Sequence, residues 1–479
     1  MVIGSIITPS TEDRMTGDGL AGRLAALVGE ANLLIGEAIS DDYRHDEALG
    51  VAPVTPAYVV KPGTAQEVAS VLKLANDSRV PVTARGSGSG LSGGAVPRAD
   101  GVVVSFERMA SIAEIDTVNH TATVQPGVTL AQLDEATAKV GLAYQVHPGE
   151  LSGSLGGNVN TNAGGMSAIR YGVTRQHVLG LEVVLATGEI LRTGGKVSKV
   201  SSGYDLTQLI VGSEGTLALV TEAVLRLAPR LEHQTTLLAP FSTLDEVTRA
   251  VPKIVASGIG PTILEYIDML TMAAISHNAN LSLGIPDSVR DTAQAYLVVS
   301  LENRDADRLE TDIETAGEQL GELGAIDVYV LPGPAARKLI EAREKAFWTA
   351  KAAGADCIID TVVPRGAIPD FVAQASKIAT EHGSYVIGCG HAGDGNVHFA
   401  LFQKDPEARD QTLKAMFAAG MALGGMISGE HGIGQEKKKY FLELEDPTKI
   451  ALMRRIKSAF DPNGILNPDI LLVSPEGNA

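Results

Sequence analysis

The chain has 479 residues, of which 44% are hydrophobic and 20% are charged, a composition typical of a globular protein with two or three domains. Its 39 basic and 57 acidic side chains give a formal charge of −18, so the chain lacks the basic surface that nucleic-acid binding requires. With only two cysteines, Cys357 and Cys389, it cannot form a disulfide framework, an all-cysteine zinc site or an ordinary iron–sulfur cluster by itself.

The sequence shows no signal for export or membrane insertion. Residues Met1–Thr16 do not combine a basic segment with an apolar one, and no run of about 18 apolar residues occurs. We therefore expect a cytoplasmic protein without a transmembrane segment.

The first 232 residues predict a helical lead-in followed by an α/β pattern. The apolar spacing in 20–29 is typical of a helix. Capping boxes begin two further helices, one at Thr64 with Glu67 and one at Thr129 with Gln132. The stretch 147–176 is dense in Gly, Ser and Asn and is expected to be a loop. Strands are expected at 58–61, 81–84, 102–106, 179–186 and 190–193.

The remaining residues predict an α+β layer of alternating helices and strands. Pro229 and the charged residues up to His233 mark the boundary. Strands are expected near 235–239, 296–301, 357–363, 385–389 and 396–402, and helices from 242 and at 305–323, 337–353, 368–381, 406–423 and 447–460.

A glycine-rich loop, RGSGSGLSGG at 85–94, follows a predicted strand. Gly88–Gly93 matches G-x-G-x-x-G, but Pro97, Asp100 and another strand follow where a dinucleotide-binding βαβ unit needs a helix. A phosphate-binding loop of the G-K-[ST] type is also excluded. Two interpretations stay open: a flexible hairpin loop, or a cradle of backbone N–H groups for a diphosphate.

Two more glycine-rich segments, 148–165 and 212–222, lie within about 140 residues of the first. Glycine at this density indicates backbone packed closely against a flat partner. Asn158, Thr161 and Asn162 could hydrogen-bond the polar edge of a ring. The alternative for each segment is a large surface loop.

Three histidines and a glutamate form the third candidate site. His391 and His398 flank a Gly-Asp-Gly turn, and Glu430 and His431 are adjacent in SGEHG. Two imidazoles and one carboxylate make a metal site with open positions, in which His431 could accept a proton. Asp394 is an alternative ligand, but we interpret it as a residue that stabilises the turn. Arg343 could bind a substrate carboxylate or be a solvated helix residue, and Trp348 is interpreted as packing.

Together, these motifs resemble a known family. In order, PVTARGSGSGLSGG, PGELSGSLGGNVNTNAGG, SSGYDLTQLIVGSEGTL, DTVVPR, CGHAGDGNVHF, ISGEHGIG and FDPNGILNPD look like those of FAD-linked D-2-hydroxy-acid dehydrogenases of the vanillyl-alcohol oxidase/PCMH-type superfamily. The resemblance spans about residues 50–472. It implies an α+β fold: a PCMH-type FAD-binding domain of two α/β subdomains, an antiparallel-sheet cap for substrate, and a C-terminal segment that returns to the flavin.

The domain division implied by the resemblance is a lead-in (1–52), the FAD domain (53–232), a substrate and metal cap (233–435) and the C-terminal segment (436–479). His391, His398 and Glu430 map onto the metal ligands, His431 onto the catalytic base and Arg343 onto the substrate-binding arginine. The metal is divalent, with zinc the first choice. The residues implied to bind FAD are Arg85, Gly86, Ser87, Gly88, Ser89, Gly90, Leu91, Ser92, Gly93, Pro148, Ser154, Gly157, Asn158, Thr161, Asn162, Gly164, Gly165, Glu214, Gly215, Val220 and Asn467.

The resemblance predicts a flavoenzyme that oxidises a D-2-hydroxy acid of the D-lactate or glycolate type to the 2-oxo acid. Ile358 stands where D-2-hydroxyglutarate dehydrogenases carry a lysine, which weakens the dicarboxylate alternative. The first glycine loop has no histidine, so non-covalent FAD is expected. Electrons would pass to a quinone, an electron-transfer flavoprotein or a partner subunit, which could bring the protein to a membrane surface. A homodimer is an option.

Two rival functions stay open. A metal-dependent hydrolase would use the histidines but would leave the glycine segments unexplained. A non-catalytic FAD subunit of a larger complex would not need the intact set of His391, His398, Glu430 and His431.

Overall fold

A computed structural model describes residues 17–472. The sequence interpretation of Met1–Thr16 concerns residues outside this range. The strands of the N-terminal half are β1 (Leu33–Ile35), β2 (Tyr58–Val60), β3 (Val82–Arg85), β4 (Val102–Ser105), β5 (Ile112–Asp116), β6 (Thr121–Val124), β7 (Leu142–Ala143), β8 (Val178–Val184), β9 (Ile190–Gly194), β10 (Leu219–Arg226) and β11 (Ala228–Pro229).

These strands form two principal sheets. The first has the order β1-β2-β4-β3, in which β2, β4 and β3 are parallel and β1 is antiparallel. The second is antiparallel with the order β5-β6-β10-β8-β9. Strands β7 and β11 pair separately. Each principal sheet packs its own apolar core, and Val184 and Leu219 of the second sheet join the core of the first.

The C-terminal half is built on one antiparallel sheet with the order β15-β12-β14-β13-β17-β18-β16. Alternate residues of β16 and β18, such as Ile359 and Phe399, point into a core shared with the helices that cover that face. The residues between them face the opposite side, where the site lies. The strands are β12 (His233–Phe241), β13 (Ile263–Asp268), β14 (Ala295–Asn303), β15 (Tyr329–Leu331), β16 (Cys357–Val362), β17 (Tyr385–His391) and β18 (Asn396–Phe402).

The helices begin and end close to the predicted positions. Thr129 and Gln132 form the expected capping box, whereas at Thr64 only the side chain of the cap residue accepts the expected bond, from Glu67 N. The α-helices are α1 (Gly17–Val28), α2 (Ala65–Ser78), α3 (Leu130–Ala138), α4 (Leu155–Thr161), α5 (Ala168–Tyr171), α6 (Thr174–His177), α7 (Leu206–Ile210), α8 (Leu244–Ala256), α9 (Met269–Ala279), α10 (Asp287–Arg290), α11 (Ala306–Glu322), α12 (Gly333–Glu344), α13 (Ala346–Ala352), α14 (Ile368–Glu381), α15 (Pro406–Ala422), α16 (Lys438–Leu444) and α17 (Pro447–Phe460). Short 3-10 helices lie at Glu30–Asn32, Gly36–Ala38, Asp41–Arg44 and Arg365–Ala367.

The stretch 147–176 was wrongly expected to be a loop throughout, because it contains α4, α5 and α6. Ser154 caps α4 by accepting a bond from Gly157 N. The glycines do not prevent this helix because they permit close packing: a Cβ at Gly156 would lie 2.6 Å from Pro126 Cβ. A glycine costs helix stability, and here tertiary packing compensates.

The C-terminal segment returns to the N-terminal half of the chain. Val82 N donates to Ile465 O at 2.8 Å, and Asn467 N donates to Val82 O at 2.7 Å. Asn467 is thereby held at the end of β3, where the first glycine-rich loop begins. Among residues 17–472, no helix has the length and apolar character needed to cross a bilayer.

Candidate functional site

The first glycine-rich loop leaves the end of β3 and forms one wall of a cavity of about 720 Å³, within the range of cofactor sites. Within residues 17–472, the N–H groups of Gly88 through Ser92 have no hydrogen-bond acceptor. A row of free N–H groups in a glycine-built loop is a suitable cradle for an anion. Gly86 cannot be replaced easily, because a Cβ there would overlap Ser154 Oγ.

The second wall is α4 with the chain before it. Ser154 Oγ accepts a bond from Ser87 N at 3.3 Å, which joins the two glycine-rich segments. Buried Asn158 also lines the cavity, and its Nδ2 has no partner. A buried amide without a partner is costly, so a ligand acceptor in the cavity would satisfy it.

Asn467 closes the cavity from the C-terminal segment. Its Nδ2 donates to Gly94 O at 2.9 Å and to Glu214 O at 2.8 Å, and its Oδ1 has no partner. Glu214 has a positive φ of 53°, and its carboxylate accepts bonds from Ile433 N at 2.9 Å and Gly434 N at 2.7 Å. Glu214 therefore holds the segment that follows His431 against the cavity.

Most residues implied to bind FAD line this large cavity. Three do not: Gly93 packs against Val51, Asn162 accepts a bond from Arg175 N at 2.9 Å, and Gly165 lines the neighbouring cavity instead. The residues that line the large cavity as expected are Arg85, Gly86, Ser87, Gly88, Ser89, Gly90, Leu91, Ser92, Pro148, Ser154, Gly157, Asn158, Thr161, Gly164, Glu214, Gly215, Val220 and Asn467. Trp348, interpreted as packing from the sequence, lines it too and is 41% exposed.

A small cavity of about 140 Å³ adjoins the large one, and His431 and Glu430 line both. His391 and His398, from neighbouring strands β17 and β18, face this small cavity. Their ring centroids are 4.9 Å apart, and those of His398 and His431 are 5.2 Å apart. Adjacent side chains of an extended segment are expected to point in different directions, but this expectation is wrong here, since His431 Nε2 lies 3.7 Å from Glu430 Oε1.

The geometry of His391, His398 and Glu430 suits a divalent metal. Glu430 Oε1 lies 3.2 Å from His391 Nε2 and 3.5 Å from His398 Nε2. Ligand atoms around a tetrahedral zinc ion lie about 3.4 Å apart. Asp360, His398 and His431 are also mutually close, but Asp360 already accepts bonds from Ser428 Oγ, Asn396 Nδ2 and His431 N. The first group is the better metal site.

The other nitrogen of His391 faces a buried acid that the sequence did not single out. Glu265, on β13, is fully buried and lies with Oε1 2.6 Å from His391 Nδ1. A carboxylate behind a histidine fixes the ring and its tautomer, as is usual for metal-binding histidines. Glu265 Oε2 lies 2.7 Å from Nη2 of Arg343, which is 6% exposed and lines the small cavity.

Asp360 was missed as well, and it organises the loop that carries Glu430 and His431. Besides Ser428 and His431, its Oδ2 accepts a bond from Glu430 N at 3.2 Å. Lys437 is 1% exposed, and its Nζ lies 3.4 Å from Asp360 Oδ2, where it balances the charge of this carboxylate. An acid within an apolar strand, as in ILEYID or CIIDTV, is the sequence signal that could have revealed Glu265 and Asp360.

Burial and neighbouring charges shift the pKa values in this cluster. Burial alone would raise the pKa of Glu430, but the nearby histidines, above all His391, lower it to about 2. Burial lowers the pKa of His398 and of His431, which favours their neutral forms. Burial raises the pKa of Asp394 to about 7, and its side chain accepts a bond from Asn396 N at 3.3 Å, in agreement with a turn role.

Two family models match the chain. The model described as FAD binding domain matches residues 56–194, which include the first two glycine-rich segments. The model described as FAD linked oxidases, C-terminal domain, matches residues 230–470, which include the histidine cluster and Asn467.

Relatives and solved structures agree with these matches. An uncharacterised FAD-linked oxidoreductase of Mycobacterium tuberculosis is 61% identical, over 94% of this chain and 98% of that protein. D-lactate dehydrogenase of Archaeoglobus fulgidus is 39% identical over 90% and 95%, and glycolate oxidase subunit GlcD of Bacillus subtilis is 39% identical over 86% and 88%. The structure of p-cresol methylhydroxylase with substrate bound covers 98% of this chain and 99% of that one at 18% identity, with a TM-score of 0.80, which shows the same fold.

The free N–H groups and the unpartnered amides of Asn158 and Asn467 fit the FAD cofactor that these matches indicate. The expected fold, a PCMH-type α+β architecture, is confirmed. The chain belongs to the FAD-linked oxidase family and is a FAD-binding oxidoreductase.

Proposed function

We propose that the protein oxidises a D-2-hydroxy acid of the D-lactate or glycolate type to the corresponding 2-oxo acid. One observation carries this proposal: His391, His398, Glu430 and Arg343 surround a small cavity that opens on the large cavity through Glu430 and His431. A 2-hydroxy acid in the small cavity would have a metal site, a cation and a base around its reacting carbon. In this proposal residues 53–232 bind FAD, and 233–435 supply the metal and substrate groups.

His391, His398 and Glu430 would hold the metal, with Glu265 fixing the ring of His391. When bound, the metal supplies a Lewis acid for the hydroxyl and carboxylate oxygens, and FAD supplies the acceptor for the hydride of the α-carbon. The three ligands come from two neighbouring strands and a loop fastened to a third, so their positions are set by the sheet. This arrangement orients the substrate before reaction.

His431 is the proposed base for the hydroxyl proton. Its Nε2 lies on the side of Glu430, while its Nδ1 has no hydrogen-bond partner and faces Asp360 Oδ2 at 3.8 Å. A proton taken up at Nε2 would make an imidazolium, which the buried carboxylate of Asp360 stabilises. The proton and the hydride thus leave the substrate separately, and a carbonyl forms.

Arg343 is proposed to bind the substrate carboxylate. Its Nε and Nη2 atoms are buried, and neither has a hydrogen-bond partner, although Nη2 is close to Glu265. A guanidinium with free N–H groups beside a cavity is suited to a carboxylate. The burial of Arg343, which is 6% exposed, supports this role over that of a solvated helix residue.

Electrons would leave reduced FAD toward a quinone, an electron-transfer flavoprotein or a partner subunit. The word subunit in the name of the glycolate oxidase relatives supports the last choice. We also propose that the protein can form a homodimer and that it contacts a membrane surface through its electron acceptor.

Anaerobic mixing of the FAD-loaded protein with D- and L-2-hydroxy acids tests the function. We expect D-lactate or glycolate to bleach the flavin absorbance. The rate of bleaching by L-lactate should be at least 100-fold lower. His431→Ala should keep the yellow colour and lose most of the bleaching, because general bases contribute about 10²–10⁴-fold. FAD-loaded protein that no 2-hydroxy acid bleaches would contradict the proposed function and would favour the non-catalytic subunit.

A further inference from the structure

The small cavity extends beyond the groups that the proposed chemistry uses. Strands β17, β18 and β16 are neighbours, and Ile387, Ala400 and Ile358 lie abreast in register across them. His398 lies two residues from Ala400 on β18, so both side chains point to the same face. The apolar row therefore lies about 7 Å from the row that carries His398, and all of these residues line the small cavity.

The opposite wall of this apolar region is equally uncharged. Ala346, Ala350 and Ala353 line the small cavity from α13 and the residue after it, at the spacing that places side chains on one face of a helix. Small side chains there leave space between the helix and the sheet. Apart from the histidine cluster, Arg343 and Glu344, the polar side chains that line this cavity are Thr271 and Thr349, which carry no charge.

The cavity has more room than a short hydroxy acid needs. The cavity volume of about 140 Å³ is far above the roughly 10–15 Å³ that a single water needs. Glycolate has five non-hydrogen atoms and lactate has six. The apolar row, about 7 Å from the row that carries His398, therefore lies beyond the atoms of these short acids and can contact additional carbons of a longer side chain.

The charges around the cavity disfavour a second carboxylate on the substrate. Arg343 is the one Lys or Arg side chain among the described residues that line the small cavity, and the proposed function assigns it to the carboxylate next to the hydroxyl. Glu344 also lines this cavity and offers no positive charge to a distal carboxylate. A buried charge without a partner is strongly unfavourable.

We infer that the row Ile358, Ala400 and Ile387, facing Ala346 and Ala350, is a side-chain subsite for an aliphatic 2-hydroxy acid such as D-2-hydroxy-4-methylpentanoate. This inference rests on the proposed function and specifies its substrate class. Each methylene buried in the subsite is expected to raise kcat/KM about fourfold. The alkyl chain would exclude water from the apolar row while the hydroxy-acid end occupies the histidine cluster.

The test is anaerobic flavin reduction of the FAD-loaded protein by glycolate, D-lactate, D-2-hydroxybutanoate, D-2-hydroxy-4-methylpentanoate and D-2-hydroxyglutarate. We expect kcat/KM for the branched acid to exceed that for D-lactate at least tenfold, and that for D-2-hydroxyglutarate to be the lowest of the chiral acids. Reduction by glycolate or D-lactate that is faster than by the longer aliphatic acids would overturn the subsite and leave the proposed function standing. Reduction by none of these acids would overturn both.

A pair of variants locates the subsite. Ala350→Leu fills the cavity from α13 and should lower the ratio of kcat/KM for the branched acid over D-lactate at least tenfold. Ala352→Leu, on the exposed side of the same helix, is the matched control and should leave this ratio unchanged. FAD content and the thermal midpoint show whether each variant is folded. If Ala350→Leu does not fold, the wild-type substrate order still decides, and a folded Ala350→Leu with an unchanged ratio contradicts the subsite.

Discussion

Buried Glu265 places one carboxylate oxygen 2.7 Å from Nη2 of Arg343 and the other 2.6 Å from Nδ1 of His391. The carboxylate thus connects the arginine proposed to bind substrate with a proposed metal ligand. Together with the nearby carboxylate of Glu430, it compensates the charge of buried Arg343. Its position on β13, beside β17, fixes its distance from His391 through the sheet, and Arg343 reaches it from α12.

Replacement of Glu265 should weaken metal binding and substrate binding together. In Glu265→Gln the charge that holds His391 and balances Arg343 is lost, and loss of such a partner typically lowers metal affinity about 10–100-fold. Titration of the metal-depleted protein with Zn²⁺ measures the affinity, and KM for the hydroxy acid should rise. Exposed Glu318→Gln is the control. Equal zinc affinity in the two variants would show that Glu265 does not support the metal site.

Asp360 and Lys437 should contribute to stability as a pair. Removing one member of a buried ion pair leaves the other charge uncompensated and costs about 3–5 kcal/mol. Asp360→Asn should therefore lower the free energy of unfolding by this amount and release the loop of Glu430 and His431. The double variant Asp360→Asn/Lys437→Met should lose less than the sum of the single variants in urea unfolding. Additive losses would argue against direct coupling.

Gly86 should be required for FAD binding. A Cβ at this position overlaps Ser154 Oγ, so Gly86→Ala should separate the first glycine-rich loop from α4 and lower the FAD content of the purified protein at least tenfold. Gly22→Ala, in α1 where a Cβ meets nothing within 4 Å, should keep full FAD content and gain about 0.5–1 kcal/mol of helix stability. Full FAD occupancy in Gly86→Ala would contradict the proposed packing of the cofactor site.

Glu344 should make stability depend on pH. Burial and the adjacent Glu341 raise the pKa of Glu344 from 4.5 to about 7. Between these two pKa values the folded protein retains a proton that the unfolded chain releases. The contribution of Glu344 to the free energy of unfolding is therefore complete below about pH 4.5 and is lost as the pH rises through about 7. The change amounts to about 3 kcal/mol. The thermal midpoint should fall between pH 5 and pH 8, and this fall should be smaller for Glu344→Gln than for the wild type or for Glu318→Gln. Parallel curves would contradict the raised pKa.

The local elements and the residues of the site could be predicted from the sequence to different degrees. The predicted bounds of capped helices and of strands bounded by turns were accurate to a few residues, because the signals for these bounds are local. Elements α14, β18 and α17 have the bounds that their patterns predict. Strand β13 and helix α9 were missed. The buried side of β13 includes Glu265, which interrupts the apolar pattern that identifies a buried strand.

Glycine density gave the location of the large cavity but misled on its local structure. The helix α4 forms within 147–176 because Pro126 and the capping Ser154 support it, and neither interaction can be read from the composition of the stretch. The histidines and Glu430 were identifiable as motif residues. Glu265 and Asp360 stand out as acids within apolar strands, but their supporting role could not be read from local spacing. These two residues and Lys437 come from separate segments and meet the histidines and Glu430 only in the folded chain.

The central claim is that the His391, His398 and Glu430 group holds a metal needed for oxidation of the hydroxy acid next to FAD. The most direct measurement is the rate of anaerobic flavin bleaching by an active D-2-hydroxy acid, before chelation, after chelation and after return of one equivalent of Zn²⁺. We predict that bleaching is lost on chelation and restored by the metal while the FAD absorbance of the resting protein is unchanged. Bleaching at the full rate by protein shown to be free of metal would contradict the account.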